Sequence, residues 1–158
     1  VIVNPFDSIG ASIVIIDRKL KEIPMIGELP EPVLKALLET IPLEISIVDA
    51  DDKVLAWNKH ETRVFKRPVA AVGREVRKCH PEKSIAAVEK IISEMKAGTR
   101  EKATFWIETT MRGKIEPTKL LIEYYALRDA TGKYLGCMET GQDITEIQKL
   151  TGEKRLLD

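Results

Sequence analysis

Cys79-His80-Pro81 is the one local text in this chain whose residue types could carry chemistry. It places a soft thiol and an imidazole beside a proline, and proline suits a first helical position because its missing N–H would be unpaired there anyway. A thiol near a helix N-terminus and an imidazole can have a lowered pKa and act as a nucleophile. No orienting third group and no oxyanion site is visible in the sequence, so catalysis is not expected. The plainer reading is that His80 caps the helix and bonds backbone while Cys79 fills a small apolar gap. His60, Cys79, His80 and Cys137 lack paired zinc-ligand spacing, and adjacent side chains usually diverge. A Cys79–Cys137 disulfide needs Cα atoms within about 7 Å, which the sequence leaves open; two separate thiols are expected. There is no glycine-rich phosphate loop, catalytic carboxylate pair or His-Glu-x-x-His text. Asp49, Asp51 and Asp52 are explained by turn propensity.

The 158 residues suit one domain with an appendage, and 44% apolar content can supply a core. Lys plus Arg and Asp plus Glu balance at 25 each, so no net field favours nucleic acid or an anionic membrane. The longest apolar runs, such as Ile13 to Ile16, fall far short of the roughly 20 residues a spanning helix needs. The chain begins at Val1 without an initiator methionine or a basic-then-apolar leader, which reads as an internal or C-terminal part of a longer, cytoplasmic protein. Two cysteines are too few for a disulfide scaffold.

Two matched hairpin texts must position any site: Ile45-Ser-Ile-Val-Asp-Ala-Asp-Asp-Lys-Val-Leu-Ala-Trp-Asn58 and Tyr125-Ala-Leu-Arg-Asp-Ala-Thr-Gly-Lys-Tyr-Leu-Gly136. Each sets an acidic turn cluster between two strand-like runs. Upstream, Ala11 to Ile16 has strand character, a polar linker follows, and Val33 to Thr40 reads as a short helix stopped by Pro42. His60 to Phe65 predicts another short helix. The best-patterned helix is Glu82 to Lys96, with Ile85, Val88, Ile91, Ile92 and Met95 on one stripe and Gly98 as its stop. Alternation predicts strands over 101–109, 119–128 and 133–140, with an exposed loop over 111–118. Thr145-Glu-Ile-Gln148 is a capping box, so a helix should start at Thr145.

This order of elements, together with the terminal Gly141-Gln-Asp-Ile-Thr145, resembles a PAS domain over about residues 42 to 147. The resemblance implies an α+β fold: a five-stranded antiparallel sheet with helices over one face. The expected organisation is an extension over 1–41, the PAS-like domain over 42–145 and an output helix over 146–158. The texts Arg63 to Pro68, Val72 to Ser84, Phe105-Trp-Ile107, Tyr124 to Asp129 and Asp143 to Leu150 look like one group in particular. These are C-terminal PAS-type domains of bacterial and archaeal proteins with a hemerythrin-like domain upstream. In that group two prolines usually follow Cys-His, whereas Glu82 stands second here, and the 112–118 loop is longer. The resemblance implies a non-enzymatic sensory or ligand-binding module, acting as a homodimer and signalling to partner domains. Its pocket would be lined by Cys79, His80, Ile85, Val88, Phe105, Tyr124 and Met138. Asp143 and Thr145 would couple the sheet to the following helix, Asp143 through a basic partner or as an ordinary turn residue. Some PAS domains bind haem through a histidine on the pocket helix, so haem on His80 is one alternative; a purely structural dimerisation module with a solid core is another.

Overall fold

The computed structural model describes residues 27–59, 61–110 and 115–156. The expected strand at 11–16 and His60 lie outside them. The chain divides into two units, residues 1–35 and 36–158. Helix α1 (Glu31–Thr40) begins in the first and ends in the second. Pro32 sits in its first turn, where no N–H is required, and Pro42 prevents a further turn. None of its residues is buried.

The second unit contains five antiparallel strands: β1 (Glu44–Asp49), β2 (Val54–Trp57), β3 (Lys102–Thr109), β4 (Thr118–Arg128) and β5 (Tyr134–Asp143), in spatial order β2-β1-β5-β4-β3. Alternation in β4 is what fixes the two faces, since Thr118, Leu120, Ile122 and Tyr124 are buried and the residues between them only half so. Helix α2 (Glu82–Lys96) covers the buried face. Its Met95 packs with Ala103, Ile122, Tyr124 and Cys137, and its Val88 and Ile92 pack with Val48 and Val76. The helix ends as predicted, with Gly98 at φ 74° and its N–H bonded to Met95 O at 3.1 Å.

Both hairpin texts use the same device. Asp49 Oδ1 accepts from the N–H groups of Asp51 and Lys53, and Asp129 Oδ1 from those of Thr131 and Lys133. The left-handed position is Gly132 (φ 85°) in one turn and Asp52 (φ 64°) in the other. Asp52 is buried, and its carboxylate meets Lys96 at 2.6 Å and Arg77 at 3.3 Å. The first hairpin is thereby tied to the end of α2.

The pairing of β1 with β5 depends on Gly136. Its φ is 151°, and a Cβ there would lie 2.1 Å from Val48 O. Gly136→Ala should therefore push β5 off β1 and destabilise the domain by at least about 2 kcal/mol. Urea melts would measure it; a loss below about 0.5 kcal/mol would show that the strands separate at little cost.

Three expectations differ from the structure. Where a helix is predicted over 60–65, the described residues 61–65 form no helix: the Thr62 and Arg63 N–H groups return to Lys59 O and Lys59 sits at φ 52°. The helix fails to propagate because Arg63 is drawn inward. The helix predicted from Thr145 is one 3₁₀ turn, Ile147–Lys149, after which Leu150 is extended. Thr145 Oγ1 accepts from the N–H of Lys119 on β4 at 2.9 Å, so its hydroxyl serves the sheet and not a helix N-terminus. The last strand also runs further than 140, to Asp143.

Candidate functional site

Strand register assembles one row across the buried face: Ala103 opposite Tyr124, Tyr124 opposite Glu139, Glu139 opposite Ser46, and Ser46 opposite Trp57. A carboxylate at the centre of such a row is costly unless it is paired and hydrogen-bonded. Glu139 is both: Oε1 accepts from Arg67 Nη2 at 3.0 Å and Oε2 from Tyr124 Oη at 2.7 Å. Arg67 and Glu139 side chains are 13% and 14% exposed, so the pair is largely dehydrated. Burial, then the Glu139 charge, holds the Tyr124 phenol far above its ordinary range.

The segment after β2 supplies the two arginines. Asn58 anchors it, accepting from Ile45 N–H at 2.6 Å and donating Nδ2 to Leu38 O and Leu43 O at 2.7 and 3.0 Å. Arg63, 3% exposed, donates Nη1 to Ile45 O and Asn58 O, Nη2 to Ser46 Oγ and Nε to Phe65 O. Its counter-ion is Glu44 at 3.7 Å, whose other oxygen accepts from Val64 N–H. Arg63 therefore has a structural donor set. Arg67 does not: its Nε is buried with no hydrogen-bond partner among the described residues.

His80 is the second group of this kind. It closes the 3₁₀ turn Val76–Cys79, and its own N–H bonds Arg77 O at 3.3 Å. The N-cap of α2 is Pro81 with no side-chain cap, so His80 does not cap the helix. Its Nε2 is buried without a hydrogen-bond partner among the described residues. Burial lowers its pKa; the Glu139 carboxylate pulls it up and the Arg67 guanidinium pushes it down. The imidazole thus feels the charges of the Glu139–Arg67 pair.

Of the other residues singled out from sequence, Phe105 and Tyr124 are together, their rings stacked at 5.9 Å and 19°. Val88 is buried in the core beside Val48, and Ile85 is half-buried one turn earlier on α2. Met138 pairs with Tyr125, not Tyr124, and so points to the opposite face of the sheet. Cys79 is partly exposed, its Sγ 3.9 Å from Glu75 O, whereas Cys137 is buried with Sγ 3.6 Å from Met95 Sδ. Both are free thiols. Burial pushes Cys137 up to about 12, so iodoacetamide should label Cys79 in the folded protein and Cys137 only after unfolding. Equal labelling in native buffer, read by peptide mass spectrometry, would contradict this placement.

Asp143 Oδ1 accepts from Thr145 N–H at 2.9 Å, and Ile144 N–H bonds Lys119 O, so the junction is clamped on β4. An open cleft of about 220 Å³ lies close by, lined in part by Leu43, Glu44, Val64, Phe65, Leu120 and Asp143. It shares Glu44 with the arginine cluster. Among the described residues no group of three or more His, Cys, Asp or Glu could hold a metal ion, and no helix is long and apolar enough to cross a membrane.

Sequence reading missed Ser46, Asn58, Arg63, Arg67 and Glu139. The available signal was period 2: counting outward from buried Cys137 puts Glu139 on the same face.

The fold is a five-stranded antiparallel sheet with a helix over one face, and comparison with known proteins agrees with it. The family described as PAS domain matches residues 34–145, and the chain belongs to that family. The crystal structure of a C-terminal domain from Streptococcus mutans is 32% identical, with TM-score 0.70 over 82% of this chain and 96% of that one. The PAS domain of a Colwellia psychrerythraea protein is 16% identical, with TM-score 0.52 over 70% and 93% of the two chains. The PAS domain of Bordetella pertussis BvgS is 18% identical, with TM-score 0.55 over 73% and 87%. No curated protein sequence matches the chain.

Proposed function

We propose that this PAS domain is a non-catalytic sensory module, in which a small molecule on the inner face of the sheet biases the Asp143–Thr145 junction and, through it, partner domains. The observation that carries this reading is the largely dehydrated Arg67–Glu139 pair with two buried polar atoms, Arg67 Nε and His80 Nε2, lacking hydrogen-bond partners among the described residues. Folding alone gains little from such a row, since buried ion pairs are often no better than apolar packing, and unsatisfied buried groups cost about 1–3 kcal/mol each. β5 links the two ends of the device, carrying Glu139 and ending in Asp143. A melting screen against a metabolite library, followed by amide exchange, tests this. At least one compound should raise Tm and slow exchange at residues 143–145; stabilisation that leaves those amides unchanged would sink the coupling.

Haem on His80 finds less support. Nε2 lacks a hydrogen-bond partner among the described residues, but the imidazole feels the charges of the Glu139–Arg67 pair, and His80 does not line the cleft beside Asp143. A haem titration should give no Soret band that is lost in His80→Ala. The reading extends to a cytoplasmic homodimer working with an upstream hemerythrin-like domain. Val33, Leu34, Leu37 and Leu38 on α1, each more than a third exposed, support self-association.

A further inference from the structure

We infer that the ligand of this row is a small uncharged molecule whose carbonyl or hydroxyl oxygen accepts from Arg67 Nε and sits against His80 Nε2. The inference rests on the sensory reading above and adds the chemistry of the ligand. The two arginines differ in one respect. Arg63 spends Nε on Phe65 O and both terminal nitrogens on Ile45, Asn58 and Ser46, and so has its place filled by protein. Arg67 engages Glu139 through Nη2 and leaves Nε, a buried N–H that can only donate, without an acceptor among the described residues. An oxygen lone pair is the group that completes it.

Charge decides what kind of oxygen. On this face Arg63 is matched by Glu44 and Arg67 by Glu139. His80 is held toward its neutral form by burial. The row is thus already neutral. A carboxylate or phosphate at Arg67 Nε would lie beside the Glu139 carboxylate with no cation left to match it, and a cation would confront Arg67 directly. A neutral acceptor satisfies the open donor and leaves the balance intact. The stacked Phe105 and Tyr124 rings, with Tyr124 in the same row as Glu139, offer an apolar wall for the rest of the molecule.

Acetamide, acetate and acetamidinium share one shape and differ in charge, so they serve as probes. Titrated into the 158-residue protein, acetamide should shift the side-chain nitrogen resonances of Arg67 Nε and His80 Nε2 saturably, with acetate and acetamidinium at least about tenfold weaker. Arg67→Lys keeps the charge facing Glu139 but removes the guanidinium Nε–H from its place on the side chain, and should weaken acetamide about tenfold. His80→Gln should weaken it too, and gives the same test if the lysine variant folds poorly. Acetate binding as well as acetamide overturns the neutral ligand. No shift with any probe also overturns it. A library compound that still stabilises the Arg67→Lys protein undiminished would overturn this inference while the sensory reading stands; a library with no stabilising compound would count against that reading itself.

Discussion

Replacing Arg63 with alanine should cost about 3–5 kcal/mol, the range seen when one partner of a buried ion pair is removed. That is a large share of the roughly 5–15 kcal/mol that holds a domain together. The guanidinium is 3% exposed and bonds carbonyls of Ile45, Asn58 and Phe65 as well as Ser46 Oγ. Removing it strands those acceptors and leaves Glu44 half-paired inside the protein. Burial lowers the guanidinium's pKa and Glu44 only partly offsets it, but arginine is not deprotonated in proteins, so its loss is a loss of both ion pair and donor set. Arg63→Lys should recover only part, because one ammonium cannot span acceptors on β1, Asn58 and the 63–65 turn. Removing both charges, in Arg63→Met with Glu44→Leu, should cost less than Arg63→Ala alone. Urea denaturation of the four proteins checks the order. A loss below about 1 kcal/mol for Arg63→Ala would mean that water replaces the guanidinium freely, as at an exposed pair.

The same cluster shows where the sequence could be read and where it could not. The strands, their turns and α2 were legible because each rests on a local rule: alternation, an Asx turn at Asp49 and at Asp129, an apolar stripe ended by Gly98. The five-stranded antiparallel sheet followed from them and from the resemblance. The 58–68 segment obeys no local period. Its conformation is set by Asn58 and Arg63 reaching Leu38, Leu43, Ile45 and Ser46, contacts far away along the chain. A helical text there lost to tertiary bonds. Thr145 failed for the same reason, since its hydroxyl had a second customer in the Lys119 N–H. Met138 failed by one step of register. His80 stood out in the sequence, but the two residues whose charges reach it did not: Arg67 and Glu139 are 72 residues apart, and only the folded sheet brings them together.

Alkaline pH should unfold this domain steeply. Burial pushes the Cys137 thiol up to about 12, and burial with Glu139 nearby lifts the Tyr124 phenol as well. In the unfolded chain a thiol titrates near 8.5 and a phenol near 10. For both groups the folded protein keeps the proton longer, so the stabilisation is complete below the unfolded pKa and is lost as pH rises toward the folded one. Above about pH 9 the unfolded state has shed the thiol proton and each further unit costs about 1.4 kcal/mol; above about pH 10 the phenol joins and the slope doubles. By about pH 11 the sum is about 4–5 kcal/mol. Tyr134, raised to about 12, acts in the same direction. Urea melts from about pH 8 to about pH 11 read the slope directly. Cys137→Ala should flatten the first part and Tyr124→Phe the second, whatever each does to stability at neutral pH. A slope in Cys137→Ala equal to that of the parent would place the thiol in water, outside the Met95, Ile122 and Tyr124 cluster that contains it here.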